Sequence, residues 1–437
     1  MHPKVLIVGT SPYSTSGTSR TFDSCFHFWE RDRVAQIFSR NWVPSKGHCG
    51  ELFQITDAQL LKRWLHQVKD VGKVYCYEDL VEQSGIHKVE ETSLVRKLYS
   101  YGEKHYPTIE LMRRVVWRKK YWCTQKLKDW LDRFQPECVV YSYSNHVFFQ
   151  QVALFVADRF GIPIVTKIGD DFYFNDSRLM SPAHLLFKKM FKKLTERILL
   201  RKASFASFDS EKVKEKYNGY FHLEGSVVYA NSTLVRREFK EINIKRPRIV
   251  YFGSVRLGRS VALLEIADAL GKINPDYKLE VYTGENDATY FRALKSHPNV
   301  LFKGFVPYTE IVKIVKESDI YVIAEGFANK DIRFTRYSLS TKTADSLAAG
   351  IAILVYGPKE AGVVSYMNDC GAAAVCSEPA DLKRQIEMLL YDVVFQKSLY
   401  EHASATYKMN HIVENTTKVF ESIIDRAIEV NKTKRGS

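Results

Sequence analysis

Short apolar runs alternate along the chain with segments whose apolar residues recur at every third or fourth position. Apolar runs bounded by glycine, proline or polar residues predict buried strands, and the longer amphipathic segments predict helices. The predicted strands lie at 4–9, 34–38, 138–143, 162–168, 203–208, 226–231, 248–253, 278–282, 319–323 and 351–356. The predicted helices lie at about 21–31, 57–70, 91–105, 148–160, 185–202, 260–270, 381–393 and 411–430.

This alternation predicts an α/β fold with parallel sheets. A chain of 437 residues is too long for one typical domain and suits two. A charge-rich segment ending in Pro247 separates the two series of strands. We therefore predict a first domain at 1–231, a linker at 232–247, a second domain at 248–405, and a C-terminal helix with its tail at 406–437.

The net charge of +14 is unevenly distributed. Residues 1–228 hold 35 Lys and Arg against 25 Asp and Glu, whereas residues 229–437 hold 29 against 25. No apolar run approaches the roughly 20 residues of a membrane-spanning helix, and the first run is too short for a signal peptide. Seven scattered cysteines without a Cys-x-x-Cys pair predict a reducing cytoplasmic location and no structural zinc.

Two basic segments rich in apolar residues account for much of the charge in the first half. Residues 112–130 contain seven basic residues and three tryptophans, and residues 185–202 predict an amphipathic helix with lysines opposite an apolar stripe. Such segments suit an anionic membrane surface. The alternative is an apolar stripe that packs on its own domain while the lysines are solvated. No nucleic-acid-binding motif is present, so we expect no nucleic-acid partner.

One predicted helix carries the strongest chemical signal. Ser340 or Thr341 can cap it, Lys342 and Thr343 fall in its first turn, and Gly350 ends it. A helix N-terminus with hydroxyls and a lysine suits a phosphate or diphosphate. An ordinary surface helix with a solvated lysine fits the same spacing.

The first strand is followed by a polar loop with Gly9 and Gly17. Dinucleotide binding needs Gly-x-Gly-x-x-Gly between strand and helix, so NAD binding is excluded. The loop either contacts a ligand or only turns the chain.

The run Lys-x-x-Asp-x-Leu-Ala-x-Gly at 342–350, then a strand and Gly-Pro-x-Glu at 357–360, resembles the donor-site helix of nucleotide-sugar glycosyltransferases with the GT-B fold. It is most similar to glycosyltransferase family 4 and its relatives in bacterial surface-polysaccharide synthesis. The resemblance implies two Rossmann-like domains that face each other across a cleft, with the last helix crossing back to the first domain. The second domain would bind a nucleoside diphosphate sugar, and the first would bind the acceptor.

The resemblance also implies a set of donor-binding residues. Arg259, with Arg256 beside it, would face the donor phosphates together with Lys342, and Phe305 and Val306 would contact the base. Asp345 would accept hydrogen bonds from the ribose. The implied set is Gly17, Gly253, Arg256, Arg259, Thr283, Phe305, Val306, Lys342, Thr343 and Asp345.

This chain departs from the family pattern at Tyr337, where family 4 members usually carry an acid. The acidic residues available to take that role are Glu325, Asp331 and Glu360.

The resemblance further implies transfer with retention at the anomeric carbon, without a side-chain nucleophile, a metal or a cofactor. His146 and Asp170 follow two predicted strands and are the candidates for orienting or deprotonating an acceptor hydroxyl. A structural histidine and a helix-capping aspartate fit these positions equally well.

We therefore predict a cytoplasmic glycosyltransferase, peripheral to the inner membrane face, that acts on a glycan or a polyprenyl-diphosphate-linked acceptor. A sugar-nucleotide epimerase of the same fold, or an inactive protein that binds nucleotide or lipid, stays open.

Overall fold

The computed structural model describes residues 1–14, 20–82, 107–175, 181–201 and 204–436. The chain forms two compact units, the first comprising Met1–Val228 with Thr417–Ser437 and the second Tyr229–Thr416. The helix predicted at 91–105 lies outside the described residues, as does Gly17.

The first unit is built on an eight-stranded sheet. Its strands are β1 (Val5–Val8), β2 (Val34–Phe38), β3 (Glu51–Gln54), β4 (Lys73–Cys76), β5 (Cys138–Ser142), β6 (Ile164–Ile168), β7 (Ser204–Phe208) and β8 (Glu224–Val227). Their order across the sheet is β4-β3-β2-β1-β5-β6-β7-β8. All neighbouring strands are parallel except β3 and β4. The central strands are buried on both faces, which explains their continuous apolar runs.

Helices connect these strands and cover the sheet. They are α1 (Arg20–Asp23), α2 (Asp57–Trp64), α3 (Pro107–Val116), α4 (Lys119–Trp122), α5 (Gln125–Phe134), α6 (Val147–Phe160), α7 (Pro182–Leu199) and α8 (Glu211–Phe221). Hydroxyl side chains cap several of them, because the first N–H groups of a helix lack intrahelical partners. Thr56 caps α2, Ser181 caps α7 and Ser210 caps α8.

The second unit is built on a six-stranded parallel sheet. Its strands are β9 (Ile249–Phe252), β10 (Leu279–Tyr282), β11 (Val300–Gly304), β12 (Ile320–Ala324), β13 (Ala352–Tyr356) and β14 (Ala374–Cys376). Their order is β11-β10-β9-β12-β13-β14.

The remaining helices follow these strands. They are α9 (Arg259–Ile273), α10 (Ala288–Ser296), α11 (Tyr308–Lys316), α12 (Asn329–Thr335), α13 (Lys342–Ala349), α14 (Gly362–Asp369), α15 (Leu382–Tyr391), α16 (Val393–Asn410) and α17 (Val413–Gly436). Helix α17 begins in the second unit, and its residues from Thr417 onward belong to the first. There Phe420 and Ile424 are fully buried with Phe26 in the core.

Both sheets contain a point where the strand order reverses. In the first unit the sheet grows from β1 toward β4 on one side and from β5 toward β8 on the other. In the second unit it grows from β9 to β11 on one side and from β12 to β14 on the other. The connections leave opposite faces of the sheet at such a point, and a crevice opens at the carboxyl ends of the two central strands.

The observed elements depart from the predicted ones mainly near residues 20–80. The helix predicted at 21–31 is reduced to α1 and a short 3₁₀ turn, Ser24–Phe26. Strands β3, β4, β11 and β14 were not predicted, and β4 was missed because it is a half-exposed edge strand without an apolar run. The boundary between the two units falls between Val228 and Tyr229. The second unit includes the predicted linker 232–247. In that segment Arg237 donates to the carbonyl oxygen of Ser318 at 2.8 Å.

Substitution of Trp117 tests the packing of the first unit. Its side chain is fully buried, stacks on Phe148 with ring centroids 3.9 Å apart, and donates to Asp57 at 2.5 Å. We expect Trp117→Ala to lower the free energy of unfolding by about 4 kcal/mol, because it opens a cavity and leaves Asp57 without this donor. Urea unfolding measures the loss. The control Trp64→Ala, at a side chain that is 41% exposed, should cost less than about 1 kcal/mol.

Candidate functional site

Charged side chains gather where the strand order of the second unit reverses. Gly253 directly follows β9, and Glu325 directly follows β12, the parallel neighbour of β9. Helices α9 and α13 begin close to these strand ends, with Arg259 and Lys342 as their first residues. Strand ends and helix N-termini therefore meet in one place, where ligands of open α/β sheets commonly bind.

Arg259 and Glu325 form a bidentate ion pair. Nε of Arg259 donates to Oε2 of Glu325, and Nη2 donates to Oε1, each at 3.0 Å. The arginine side chain is only 15% exposed and the glutamate side chain 4%. Burial by itself would lower the pKa of Arg259, but the Glu325 carboxylate raises it above its usual range. The guanidinium therefore stays charged in this pair.

The loop before α9 can approach Asp331 closely because it contains Gly258. Gly258 has φ +73°, and a Cβ there would lie 2.6 Å from Oδ2 of Asp331. The buried Asp331 carboxylate thus sits against the N-terminus of α9 and attracts the positive charge of Arg259.

Lys342 extends from the start of α13 toward the end of β9. Its Nζ lies 5.1 Å from the centre of the Tyr251 ring, and a Cβ on Gly253 would lie 2.5 Å from it. Burial lowers the pKa of Lys342 to about 8, with a further lowering by the Arg259 charge that Glu325 opposes only in part. Among the described residues, no carboxylate forms an ion pair with Lys342. Its positive charge is therefore the least compensated of the cluster.

We call Arg259, Glu325 and Lys342 the cation cluster. An anion placed there would gain the field of two cations and two helix N-termini in a partly dehydrated site, and the Glu325 and Asp331 carboxylates would offset part of that gain. It would also favour the charged form of Lys342. The cluster therefore has the chemistry of a phosphate or diphosphate site, and the donor-binding role of Arg259, Gly253 and Lys342 stays a prediction.

Arg256 lies apart from this cluster. Its guanidinium donates to Glu285 at 2.6 and 2.9 Å, and its side chain is 55% exposed. Thr283, at the end of β10, is buried and accepts the backbone N–H of Glu285 at 3.2 Å. The structure thus links Arg256 and Thr283 through Glu285.

The two predicted base contacts follow β11. Phe305 is 63% exposed and lies beside Gly284, where an added Cβ would come within 3.3 Å of its ring. Val306 is half-buried against the core of the unit. An exposed ring next to a glycine leaves a face on which a planar group can stack.

The other predicted residues of α13 face inward. Thr343 is fully buried, and Asp345 is 7% exposed. The Asp345 carboxylate accepts hydrogen bonds from Ser232 at 2.6 Å and from Tyr308 at 3.1 Å. The structure places these two side chains in the interior and not in the cation cluster.

Of the two residues predicted to cap α13, the structure uses the Ser340 side chain. Thr341 is the N-cap residue but makes no side-chain cap, and the Ser340 hydroxyl accepts the backbone N–H of Lys342 at 3.4 Å instead. Gly350 ends the helix at φ +74°, as predicted. Tyr337 precedes the helix, and the Arg336 guanidinium lies 4.6 Å from its ring.

In the first unit, His146 lies at the strand-order reversal. It is the N-cap residue of α6, just beyond the end of β5, and its ring stacks on Phe148 at 5.3 Å. Asp170 is exposed and follows β6, the next strand. The two predicted acceptor-side residues therefore lie at the carboxyl ends of adjacent parallel strands.

Two polar pairs of the first unit escaped the sequence analysis. Lys167, near the end of β6, contacts Asp209. Nδ1 of His48 lies 2.6 Å from Oδ2 of Asp23. A lysine inside an otherwise apolar strand was a usable signal for the first pair, whereas nothing in the sequence connects His48 with Asp23.

No protein-family model matches this sequence, and no curated protein matches it. Several solved structures match the fold over nearly the whole chain. Sucrose-phosphate synthase from Thermosynechococcus elongatus is 9% identical at a TM-score of 0.55, covering 98% of this chain and 99% of its own. HepE from Anabaena, in complex with UDP-glucose, is 14% identical at 0.55, covering 97% and 99%. A glycosyltransferase from Rickettsia africae is 12% identical at 0.53, covering 98% and 99%.

The chain has the GT-B fold. The predicted fold class, with two Rossmann-like α/β domains, is confirmed. The more specific resemblance to family 4 rests on the sequence motif. Within this GT-B fold the cation cluster belongs to the second unit, and His146 to the first.

No group of three or more His, Cys, Asp or Glu side chains in the described part of the chain is arranged to hold a metal ion. None of its helices is both long and apolar enough to span a bilayer. The expectation that neither metal nor cofactor takes part stays a prediction.

The lowered pKa of Lys342 has a consequence for stability. Between pH about 8 and the ordinary lysine value of 10.5, the unfolded chain holds this proton and the folded chain does not. The free energy of unfolding contributed by Lys342 therefore rises with pH across this window. We expect the free energy of unfolding of the wild-type protein to rise by on the order of 2 kcal/mol across this window because of Lys342. Lys342→Met should lack this rise.

Urea unfolding at about pH 7 and about pH 10 measures this rise in both proteins. Lys295→Met, at an exposed lysine of α10, is the control and should keep the wild-type slope. Equal slopes in wild type and Lys342→Met would contradict the proposed burial of this cation.

Glu325 tests the ion pair. We expect Glu325→Gln to cost about 3 kcal/mol, because it leaves two neighbouring cations partly buried without their main counter-charge. The matched control is Glu310→Gln, which removes a 45% exposed partner of Lys313 and should cost less than about 1 kcal/mol. Similar losses in the two variants, measured by thermal unfolding, would show that burial does not strengthen the Arg259–Glu325 pair.

Proposed function

We propose that this protein is a glycosyltransferase that moves a sugar from a nucleoside diphosphate sugar to a hydroxyl group of an acceptor. The cation cluster at the strand-order reversal of the second unit carries the proposal. HepE, which shares the fold, was solved with UDP-glucose. A uridine nucleotide is therefore the first donor to test.

The donor diphosphate would lie at the cation cluster, with Lys342 and Arg259 as its charged partners. When the bond between the anomeric carbon and the diphosphate oxygen breaks, negative charge develops on the diphosphate. Cations and helix N-termini that are already oriented stabilise this charge without reorganisation. A leaving group held in this way needs no metal in the proposed mechanism.

The base would stack on Phe305, whose exposed ring lies beside Gly284. Asp345 is buried and occupied by two hydroxyl donors, so it would act indirectly, by fixing Ser232 and Tyr308. Our proposal therefore gives Asp345 a smaller part in binding the ribose than the resemblance implied.

The acceptor hydroxyl would bind in the first unit. It attacks the anomeric carbon and loses its proton, and His146 or Asp170 orients the hydroxyl or takes this proton. The resemblance to family 4 favours retention of configuration without a covalent intermediate. We propose a glycan or polyprenyl-diphosphate-linked acceptor, a role in surface-polysaccharide synthesis, and a cytoplasmic location peripheral to the inner membrane face.

A second candidate is an inactive homologue that binds nucleotide without turnover. Tyr337 favours it, because family 4 members usually carry an acid there. Glu325, one of the alternative acids, is held by Arg259.

Calorimetry with UDP tests the donor site. We expect Lys342→Ala and Arg259→Ala to weaken UDP binding by about 10- to 100-fold each, since each removes a charge-assisted contact worth about 1.5–3 kcal/mol. Arg292→Ala, at an exposed arginine of α10, is the control and should bind as wild type does. Unchanged UDP affinity in both site variants would overturn the proposed site.

Incubation with UDP-sugars then separates the candidate functions. UDP release that needs an added acceptor supports glycosyl transfer, and free altered sugar from the donor alone supports epimerisation. UDP binding without any turnover across donors and acceptors supports the inactive homologue.

A further inference from the structure

The two basic segments of the first unit come together around one groove. The groove has a volume of about 640 Å³ and lies among α3, α4, α6 and α7. Residues 112–130 contribute α4 and the end of α3, and residues 185–202 contribute most of α7. The two segments lie far apart in the sequence, and the structure joins them at one surface.

The floor of the groove is apolar. It is formed by aliphatic and aromatic side chains from all four helices, including Leu111, Trp122, Leu154, Phe155, Met190 and Leu194. Leu185 and Leu186, at the start of α7, remain 48% and 52% exposed, and Leu186 lines the groove. Exposed leucines that continue an apolar groove are a feature of interaction sites.

The rim of the groove is positive. Arg114, Arg118 and Lys119 line it, and none of the three forms an ion pair within the described part of the chain. Lys119 lies over the Phe155 ring at 4.7 Å. The acid of the rim, Asp158, is already shared by Arg197 at 3.4 Å and Arg201 at 2.5 Å. An incoming anion would therefore meet uncompensated positive charge.

The lysines of α7 contribute less than the sequence suggested. Lys188 donates to the carbonyl oxygens of Phe172 and Asn175 at 2.7 and 2.8 Å, so it serves the fold. Lys192 lies over the Tyr173 ring at 5.1 Å. The cations that line the groove without an ion pair in the described part of the chain thus come from α3, α4 and the residue between them.

We propose that this groove seats the hydrocarbon chain of an anionic phospholipid and that its rim binds the headgroup phosphate, so that this face docks on a bilayer. An apolar floor bordered by three cations matches a molecule with a hydrocarbon tail and a phosphate head. A volume of about 640 Å³ admits part of one chain. A nucleic acid would leave the aliphatic floor unused, because it binds through phosphates and stacked bases.

This inference rests on the membrane association proposed above and does not depend on glycosyl transfer. The test is flotation of the full-length protein with vesicles of phosphatidylcholine alone or with roughly one third phosphatidylglycerol. We expect retention by the phosphatidylglycerol vesicles only. The double variant Arg118→Glu with Lys119→Glu should bind them at least about 25-fold more weakly, at about five-fold for each charge.

The charge control is Lys62→Glu with Lys69→Glu, which changes the net charge equally at exposed lysines of the same unit. It should retain most of the vesicle binding. An equal loss in both double variants would show unspecific attraction and overturn the proposed site.

The apolar floor needs its own variant. Val115→Trp fills the groove from a side chain that is 38% exposed and leaves the rim charges in place. The matched control is Val68→Trp, at a side chain that is 37% exposed. We expect a several-fold loss of vesicle binding in Val115→Trp alone. Unchanged binding in Val115→Trp would overturn the seating of the chain.

Two further readouts complete the design. Each variant should keep the wild-type thermal shift with UDP, which separates a lost lipid site from a misfolded protein. Loss of lipid binding with UDP binding kept supports this inference, and wild-type protein that binds lipid but not UDP counts against the proposed function alone.

Sedimentation without lipid tests whether a second copy of the chain occupies the groove. A wild-type dimer that dissociates in the Arg118→Glu, Lys119→Glu variant would overturn the lipid proposal.

Discussion

A parallel sheet that grows in both directions from a central pair of strands must open a crevice at their carboxyl ends. In the second unit the central pair is β9 and β12, and the residues that follow these strands are Gly253 and Glu325. Strand β12 delivers Glu325, the helices that begin nearby deliver Arg259 and Lys342, and the glycine after β9 leaves room for the Lys342 side chain. The chemistry of the site therefore depends on strand order before it depends on any side chain.

Electrostatics then determines what the crevice can hold. Two cations and two acids, Glu325 and Asp331, share a partly dehydrated space, and Glu325 compensates Arg259 far better than it compensates Lys342. A buried ion pair is seldom a net source of stability, because dehydration offsets most of the Coulomb gain. The arrangement is better understood as a prepared anion site, in which the fold accepts a cost in stability to keep charges oriented.

Much of the fold and part of the candidate site could be predicted from local sequence patterns. Apolar runs located the central strands, and Lys342 with Gly350 located α13, because a cap, a first turn and a left-handed terminus lie within a few residues of each other. The pairing of Arg259 with Glu325 joins residues 66 positions apart, so no local pattern contains it. The same holds for Asp345, whose donors Ser232 and Tyr308 come from distant parts of the second unit. Edge strand β4 was missed because a half-exposed strand carries little apolar signal.

Glu325 has a further consequence as a built-in competitor of the ligand. The carboxylate occupies the Nε–Nη2 edge of the Arg259 guanidinium, so an anion can bind that edge only by displacing an intramolecular partner. Such a partner acts at a high effective concentration and raises the threshold for weak monoanions. A diphosphate, which spreads its charge over two groups and can engage Lys342 at the same time, passes this threshold more easily. The glutamate would then act as a discriminating element, favouring multivalent anions over chloride and over single carboxylates.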